Sequence, residues 1–307
     1  MTIQAKCNTL NKAIHNRLFL NNYLTTNVGD YERVFTSIDL IEDSQDAIEE
    51  FGNIPETNFQ KRSTLYIYGV LQSLYCQQDG LFNLYKTITK ASTKNVYEMF
   101  KLYSFTAEIR NVRDDIAGHP TDRKKGKEFY FIAKGSNSKY NFSYAGYTPH
   151  FRKVDVDLKQ FIKEQNKFTH TILDQVEKSI AEQINIHKDK FKKMKLLNIV
   201  ENLNYPIQLI YRGIFSNHLL ASSGLKEIKG KLDELKAELI NRYNNSIPDS
   251  LKDIFRLQDY ILKKVEHWIS NNELQNNLDA EIFLDSFDNQ LNELFDILKE
   301  IDEDFVH

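Results

Sequence analysis

Arg110-Asn111-Val112-Arg113-Asp114-Asp115-Ile116-Ala117-Gly118-His119-Pro120 carries two arginines along a helical run, stops at a glycine and places a histidine just past the stop. Upstream, Ser92 and Thr93 are good N-caps. Val96, Phe100, Tyr103, Ala107 and Arg110 then recur at helical spacing, so one motif helix is expected, with Arg110 continuing the line of its apolar face. Gly118 is expected to supply a left-handed stop and Pro120 to block re-entry into the helix. Had the helix continued, His119 would stand about 240° around the axis from Arg113. A break at Gly118 lets the imidazole swing back toward the arginine.

Outward from this stretch the chain is dominated by helical periodicity. A helix is expected over about 32–51, with Val34, Ile38, Ile41 and Ile48 on one side and Gly52 and Pro55 at its end. A longer one covers roughly 58–89 and carries Leu65, Tyr68, Leu71, Tyr75, Leu81 and Leu84. From Tyr68 to Asp79 it is apolar nearly all round, which predicts the most buried helix of a bundle. After the motif the period changes to two. Phe129 and Phe131, then Tyr140, Phe142 and Tyr144, flank Gly135-Ser136-Asn137-Ser138 in a β-hairpin pattern, and 151–157 reads as a third short strand. Leu158, Phe161, Phe168, Ile172, Val176, Ile180 and Ile184 mark an amphipathic helix over about 157–187.

The basic stretch 188–195 reads as a solvated linker, and 196–307 as a C-terminal helical domain. There Pro206 is expected to disrupt 196–214 and Pro248 to start a helix. Leu225, Ile228, Leu232, Leu235 and Leu239, then Phe283 to Phe305, form apolar stripes. Residues 1–29 read as a polar, poorly periodic N-terminal segment. The expected fold class is mainly α: a helical bundle over 30–187 with a small β-hairpin insertion at about 127–157, followed by the C-terminal helical domain.

Composition narrows the chemistry. Eleven Gly and five Pro leave few turns, which favours long helices over a many-stranded fold. A net charge of -3 excludes a strongly basic coat but allows a local basic groove. Cys7 and Cys76 cannot build a disulfide framework or a four-cysteine zinc site, and Cys76 reads as a small buried residue. His15, His150, His170, His187, His218, His267 and His307 make no metal-ligand spacing, and no Walker loop, H-E-x-x-H or dinucleotide fingerprint is present. No metal and no cofactor are expected. With no signal peptide and no apolar run of about 18 residues, a cytoplasmic protein without a membrane partner is expected.

A fixed cation and a titratable imidazole held at a rigid helix end suit work on a phosphodiester. Arg113, the polar Asp114 after it, and His119 resemble the signature of the HEPN superfamily, in which the arginine and histidine are four to six residues apart and the polar residue is often Asn. Gly118-His119-Pro120 is similar to the ending of one HEPN subgroup. The resemblance covers at most about 30–187. It implies four helices with a β insertion between the third and fourth, and a metal-independent endoribonuclease acting on RNA. It also implies a homodimer in which two motifs share one cleft, and a setting in a bacterial toxin or anti-phage defence system with an antitoxin or other defence partner.

On that reading Arg113 clamps non-bridging phosphate oxygens. His119 moves protons to and from the 2′-OH and the leaving 5′ oxygen, imidazole being suited to both roles near neutrality. Asp114 orients the histidine or the hydroxyl, and the products carry a 2′,3′-cyclic phosphate and a 5′-hydroxyl. Arg110, Arg123, Lys124, Lys125 and Lys127 offer a phosphate track. Tyr130, Tyr140, Phe142, Tyr144 and Tyr147 are near enough for bases to stack, although most fit better as the buried face of a small sheet. Asp79 and Asn111 are candidate supports for the arginines. Asp114 in place of Asn, with Asp115 behind it, would repel a phosphate unless Arg110, Arg113 or Arg123 neutralises the pair. Two other readings use the same residues. One is a groove that binds RNA or a nucleotide without cutting it. The other is a helical scaffold, in which Arg110 and Asp114 form an i,i+4 pair and His119 caps the helix.

Overall fold

The computed structural model describes residues 1–24, 27–133, 137–147, 150–215 and 219–306. Gly135 and Ser136 of the expected hairpin turn, His218 and His307 lie outside them. The chain is mainly α, with a small antiparallel sheet inserted between helices. It forms two compact units, Met1–Asn16 with Leu24–Glu182 and Arg17–Tyr23 with Gln183–His307.

The first unit opens with α1 (Ile3–Ile14), where a featureless polar segment was expected. Ile3, Cys7, Leu10 and Ile14 are buried at helical spacing, a stripe hidden among Gln, Lys and Asn. Thr2 caps it, its hydroxyl accepting from the Ala5 N–H. Cys76, expected to be buried, is half-buried, and Cys7 is fully buried. A short α2 (Arg17–Phe19), continued by π-helical Leu20–Leu24, leads on in the chain.

α3 (Asp30–Asn53) buries Val34, Ile38, Ile41 and Ile48 as predicted. The expected helix over 58–89 is two, α4 (Glu56–Lys61) and α5 (Ser63–Thr89), parted where Arg62 leaves helical geometry at φ -143°. α5 is not apolar all round. Ile67, Val70, Leu71, Leu74, Leu81 and Leu84 form its buried line, while Leu65 and Tyr68 face solvent.

The motif helix is also divided, into α6 (Thr93–Lys101) and α7 (Ser104–Arg113). Ser92 caps the first as expected, accepting from Asn95 N–H at 3.2 Å. The Thr106 hydroxyl donates to the carbonyls of Phe100 (3.2 Å) and Tyr103 (2.9 Å), offering them a partner other than a continuous helix. The break resets the phase. Ile109, Val112 and Ile116 are buried, whereas Ala107 is exposed and Arg110 lies beside the apolar line rather than on it.

β1 (Phe129–Ile132), β2 (Asn141–Tyr147) and β3 (Phe151–Asp157) follow in an antiparallel meander of order β1-β2-β3. The register pairs Phe129 with Tyr147 and Tyr144 with Val154. Because side chains alternate along a strand, Phe142, Tyr144 and Val156 join Ile67, Val70, Leu71, Ile109, Val112 and Ile116 in one core. The opposite face looks outward. α8 (Leu158–Phe191) buries Phe168, Ile172, Val176 and Ile180.

The basic run at 188–195 is not a linker through its length. α8 continues to Phe191, which is buried, and the division between units falls within this helix. Lysine is a good helix former, and the helix runs through Lys188 and Lys190 to the buried Phe191 within the basic run.

In the second unit, α9 (Leu197–Val200), α10 (Asn204–Phe215), α11 (Leu219–Arg242), α12 (Asp249–Ser270) and α13 (Leu278–Val306) enclose a separate core. The segment 196–214 is interrupted as predicted, at 201–203 between α9 and α10, and Pro206 sits in the first turn of α10, where proline is tolerated. Pro248 is the N-cap of α12 as predicted. Both expected leucine- and phenylalanine-rich stripes are buried, Phe283 only partly. Arg242 is fully buried, paired with Glu238 at 3.0 Å and Asp302 at 3.3 Å, and its guanidinium lies 5.0 Å from the Phe305 ring centroid.

Candidate functional site

α7 does not end as its sequence predicts. The backbone widens into a π-helical turn over Asp114–Gly118, closed by the His119 N–H donating to the Asp114 carbonyl at 2.8 Å. Gly118 is not left-handed; among the described glycines only Gly29 and Gly126 have positive φ. What Gly118 provides is space. A Cβ there would lie 2.9 Å from Arg113 Nη1 and 3.1 Å from Asp114 Oδ1. The Arg113 guanidinium therefore rests against Gly118, the residue directly before His119. Single π turns within helices recur at functional sites.

Arg113 is held from three directions. Its Nε donates to Gln72 Oε1 at 3.0 Å, its Nη1 donates to Asp114 Oδ1 at 2.8 Å, and its guanidinium stands 4.5 Å from the Tyr75 ring centroid. Arg110 uses the same ring, 4.6 Å from its centroid, and donates to Gln78 Oε1 at 2.9 Å and Asp79 Oδ1 at 2.5 Å. One electron-rich ring thus serves two guanidinium groups that would otherwise repel each other. The expected Arg110–Asp114 pair does not form. Asp114 is taken by Arg113 and Arg123 instead, and Arg110 pairs with Asp79.

Arg123 reaches back to the turn, donating to Asp115 Oδ1 at 2.7 Å, Asp114 Oδ2 at 3.5 Å and Asn111 Oδ1 at 3.5 Å. The Tyr144 hydroxyl donates to Asp115 Oδ2 at 3.0 Å. Burial and the Asp115 charge push the Tyr144 hydroxyl pKa upward, so it stays a donor through the neutral range. Both carboxylates that threatened to repel a phosphate are therefore paired with arginine. The His119 ring is exposed and, among the described residues, makes no hydrogen bond or ion pair. It does not cap the helix through its side chain.

The basic run divides by role. Arg123 is tied to the motif, and Lys124 pairs with Glu128 at 2.5 Å. Lys125 and Lys127 are exposed and unpaired among the described residues. Lys124, Lys125 and Gly126 are left-handed in succession, at φ 49°, 63° and 74°. Two non-glycine residues in that region cost roughly 1–2 kcal/mol each. Bonds from Lys127 N–H and Glu128 N–H to the Arg123 carbonyl close the turn.

Several partners escaped the sequence reading. Gln72 and Gln78 were not singled out, and Tyr75 was assigned to the core. Yet Gln72, Tyr75 and Gln78 recur every three residues, with Asp79 adjacent, as a polar stripe on one side of α5. Gln78 continues into the interior: its Nε2 donates to Gln165 Oε1 at 3.1 Å, Gln165 Nε2 to Gln77 Oε1 at 3.0 Å, and Gln77 Nε2 to Gln45 Oε1 at 2.9 Å. Gln77, Gln78 and Gln165 are fully buried, and each finds partners. Gln45 lines a cavity of about 470 Å³ with Ile48, Tyr140, Ile162 and Lys163. The arginine–histidine motif does not line this cavity.

The predicted stacking aromatics also divide. Phe142 and Tyr144 are buried, and Tyr130 and Tyr140 are half-buried, so they serve the core. Tyr147 is exposed. Among the described residues, no three His, Cys, Asp or Glu side chains are grouped to hold a metal ion, and no helix is long and apolar enough to cross a membrane. No protein-family model, curated protein or solved structure matches the chain.

Proposed function

We propose that the chain is a HEPN-like, metal-independent endoribonuclease that cleaves RNA by attack of the 2′-OH. The observation that carries this reading is the Arg113 guanidinium, fixed against Gly118 beside an exposed His119 with no partner of its own. Arg113 Nη2 makes no protein hydrogen bond among the described residues and is the group offered to a non-bridging phosphate oxygen. The His119 imidazole takes the 2′-hydroxyl proton or returns one to the leaving 5′ oxygen. One histidine cannot do both in a single concerted step. A homodimer bringing two motifs into one cleft supplies the second, and the products are a 2′,3′-cyclic phosphate and a 5′-hydroxyl. Asp114, held by two arginines, acts in this reading by fixing Arg113 rather than by touching the hydroxyl. Control by an antitoxin or another defence partner belongs to the same proposal.

A second reading has an observation of its own. No side chain orients the His119 ring, whereas Arg110 and Arg113 are rigidly held, as a phosphate-binding module without chemistry requires. Incubation of the parent, His119→Ala and Arg113→Ala forms with a mixed RNA pool in EDTA separates the two. The nuclease reading expects cleavage by the parent alone, at least about 100-fold above either variant, with cyclic-phosphate ends. Equal cleavage by parent and His119→Ala, or none by either, would overturn it. RNA retention that survives His119→Ala and is lost with Arg113→Ala would identify the binding module.

A further inference from the structure

The outward face of the β1-β2-β3 sheet carries an unusual set of side chains. Phe129, Phe131, Tyr147 and Phe151 are 46%, 50%, 54% and 60% exposed. Their register places them together: Phe129 is opposite Tyr147, Tyr147 is opposite Phe151, and Phe131 follows Phe129 on the same face. Tyr147 and Phe151 meet edge to face, with ring centroids 5.8 Å apart. The remaining positions on this face are polar, charged or small: Asn141, Lys153, Asp155 and Asp157 are exposed, and Ser143 and Ala145 are buried beneath their neighbours. Every large apolar side chain on this face is aromatic.

The charges around these rings fit a polyanion. Exposed Lys127 stands two residues before Phe129, Lys125 projects from the left-handed turn, and Lys153 lies opposite Ala145 between the rings. Two of the nearby carboxylates are engaged, while Asp122, beside the Lys124–Gly126 turn, is exposed. Asp155 accepts from the Ser143 hydroxyl at 2.5 Å and pairs with Lys153 at 3.4 Å, and Glu128 accepts from Lys124 and the Tyr130 hydroxyl.

The sheet is braced against the motif through its β1 edge and its inner face, the side opposite the rings. Tyr130 N–H donates to the Pro120 carbonyl at 2.8 Å, and Tyr144, on the inner side of β2, holds Asp115. Flat rings interleaved with cations bind single-stranded nucleic acid, because every base has a π face and every linkage a charge. We infer that this face is a platform on which the bases of single-stranded RNA stack while Lys125, Lys127 and Lys153 follow the backbone. The inference rests on the RNA reading above, but it concerns holding the strand and not cutting it.

The test is fluorescence anisotropy in EDTA, with the full chain carrying His119→Ala and a labelled single-stranded RNA of about twelve nucleotides, near the footprint of a small stacking domain. Phe131→Ala and Phe151→Ala are each expected to weaken binding at least about fivefold, and the double substitution more than either. Phe151→Trp, which keeps a ring, is expected to retain parental affinity. Duplex RNA of the same sequence, with its bases already stacked, is expected to be insensitive to all three. Circular dichroism melts matched to the parent show that loss of affinity is not loss of fold. Unchanged single-strand affinity in the double variant would overturn the platform. If that variant instead falls from dimer to monomer in sedimentation, the face is an interface between copies, and the inference is likewise overturned. Ring-dependent binding by a parent that cleaves nothing would keep the platform and sink the nuclease. Cleavage with ring-independent binding would do the reverse.

Discussion

At the residue scale, Gly118 is the sharpest discriminator, because the sequence gives it one job and the structure another. A left-handed stop would make any side chain there a strained backbone. Its φ is not positive, so alanine is conformationally acceptable, and the conflict is with the Arg113 guanidinium at 2.9 Å. That guanidinium is the far end of a flexible side chain and can move away. Gly118→Ala is therefore expected to leave the melting temperature within a few degrees of the parent and, on the nuclease reading, to reduce cleavage about 100-fold, the scale of a displaced catalytic group. A large fall in stability with normal activity in the surviving folded protein would return Gly118 to the role of backbone stop. The reading of Asp114 and Asp115 shows what residue types reveal. That two carboxylates needed arginine partners was legible from charge alone. That Arg123 would be the partner of both, with Tyr144 behind it, depended on a turn and a strand folding back onto the motif.

At the scale of elements, long stripes were legible and interruptions were not. α3, α8, α11 and α13 declare themselves through repeated apolar residues that solvent exclusion forces onto one side. The break between α6 and α7 is set by one threonine hydroxyl competing for carbonyls, and it moves the buried line off Arg110. A π turn over five residues differs from an α turn by a single shifted hydrogen bond, which hydrophobic periodicity cannot resolve. α1 was missed because its four buried residues are diluted by polar ones. Buried charge at a helix end yields a prediction at this scale. Arg242, in the last turn of α11, balances Glu238 and Asp302, and Asp302 also accepts the N–H groups of Leu196 and Leu197 at 2.9 and 3.0 Å. Arg242→Ala strands two carboxylates in a dry site and is expected to cost about 3–5 kcal/mol in urea unfolding. A loss below about 1 kcal/mol, the level of a solvent-screened pair, would show that the site admits water.

At the scale of the whole molecule, a net charge of -3 forbids general attraction to RNA, so affinity has to come from local cations. On the RNA reading Arg113, Lys125, Lys127 and Lys153 are the four assigned to phosphate, and four phosphate contacts on a single strand imply a log affinity–log salt slope of about -3. A titration from low to moderate salt that gives a flat line would exclude phosphate contacts as the basis of binding. A slope steeper than about -5 would require a much larger basic surface than this one. The sequence by itself determined the helical class, the place of the β insertion and the C-terminal helical stripes, because burial of apolar surface imposes a period on any chain that folds. It also singled out Arg113 and His119 as a candidate pair, from residue types within a dozen positions. The tertiary structure alone decided which arginines are tied and which atoms remain free, since Gln72, Tyr75, Gln78 and Asp79 meet the motif only when α5 packs beside α7. It also decided which aromatics face outward, because the sheet's register and the face it turns to the core, not the spacing of the rings along the chain, separate Phe131 and Phe151 from Phe142 and Tyr144.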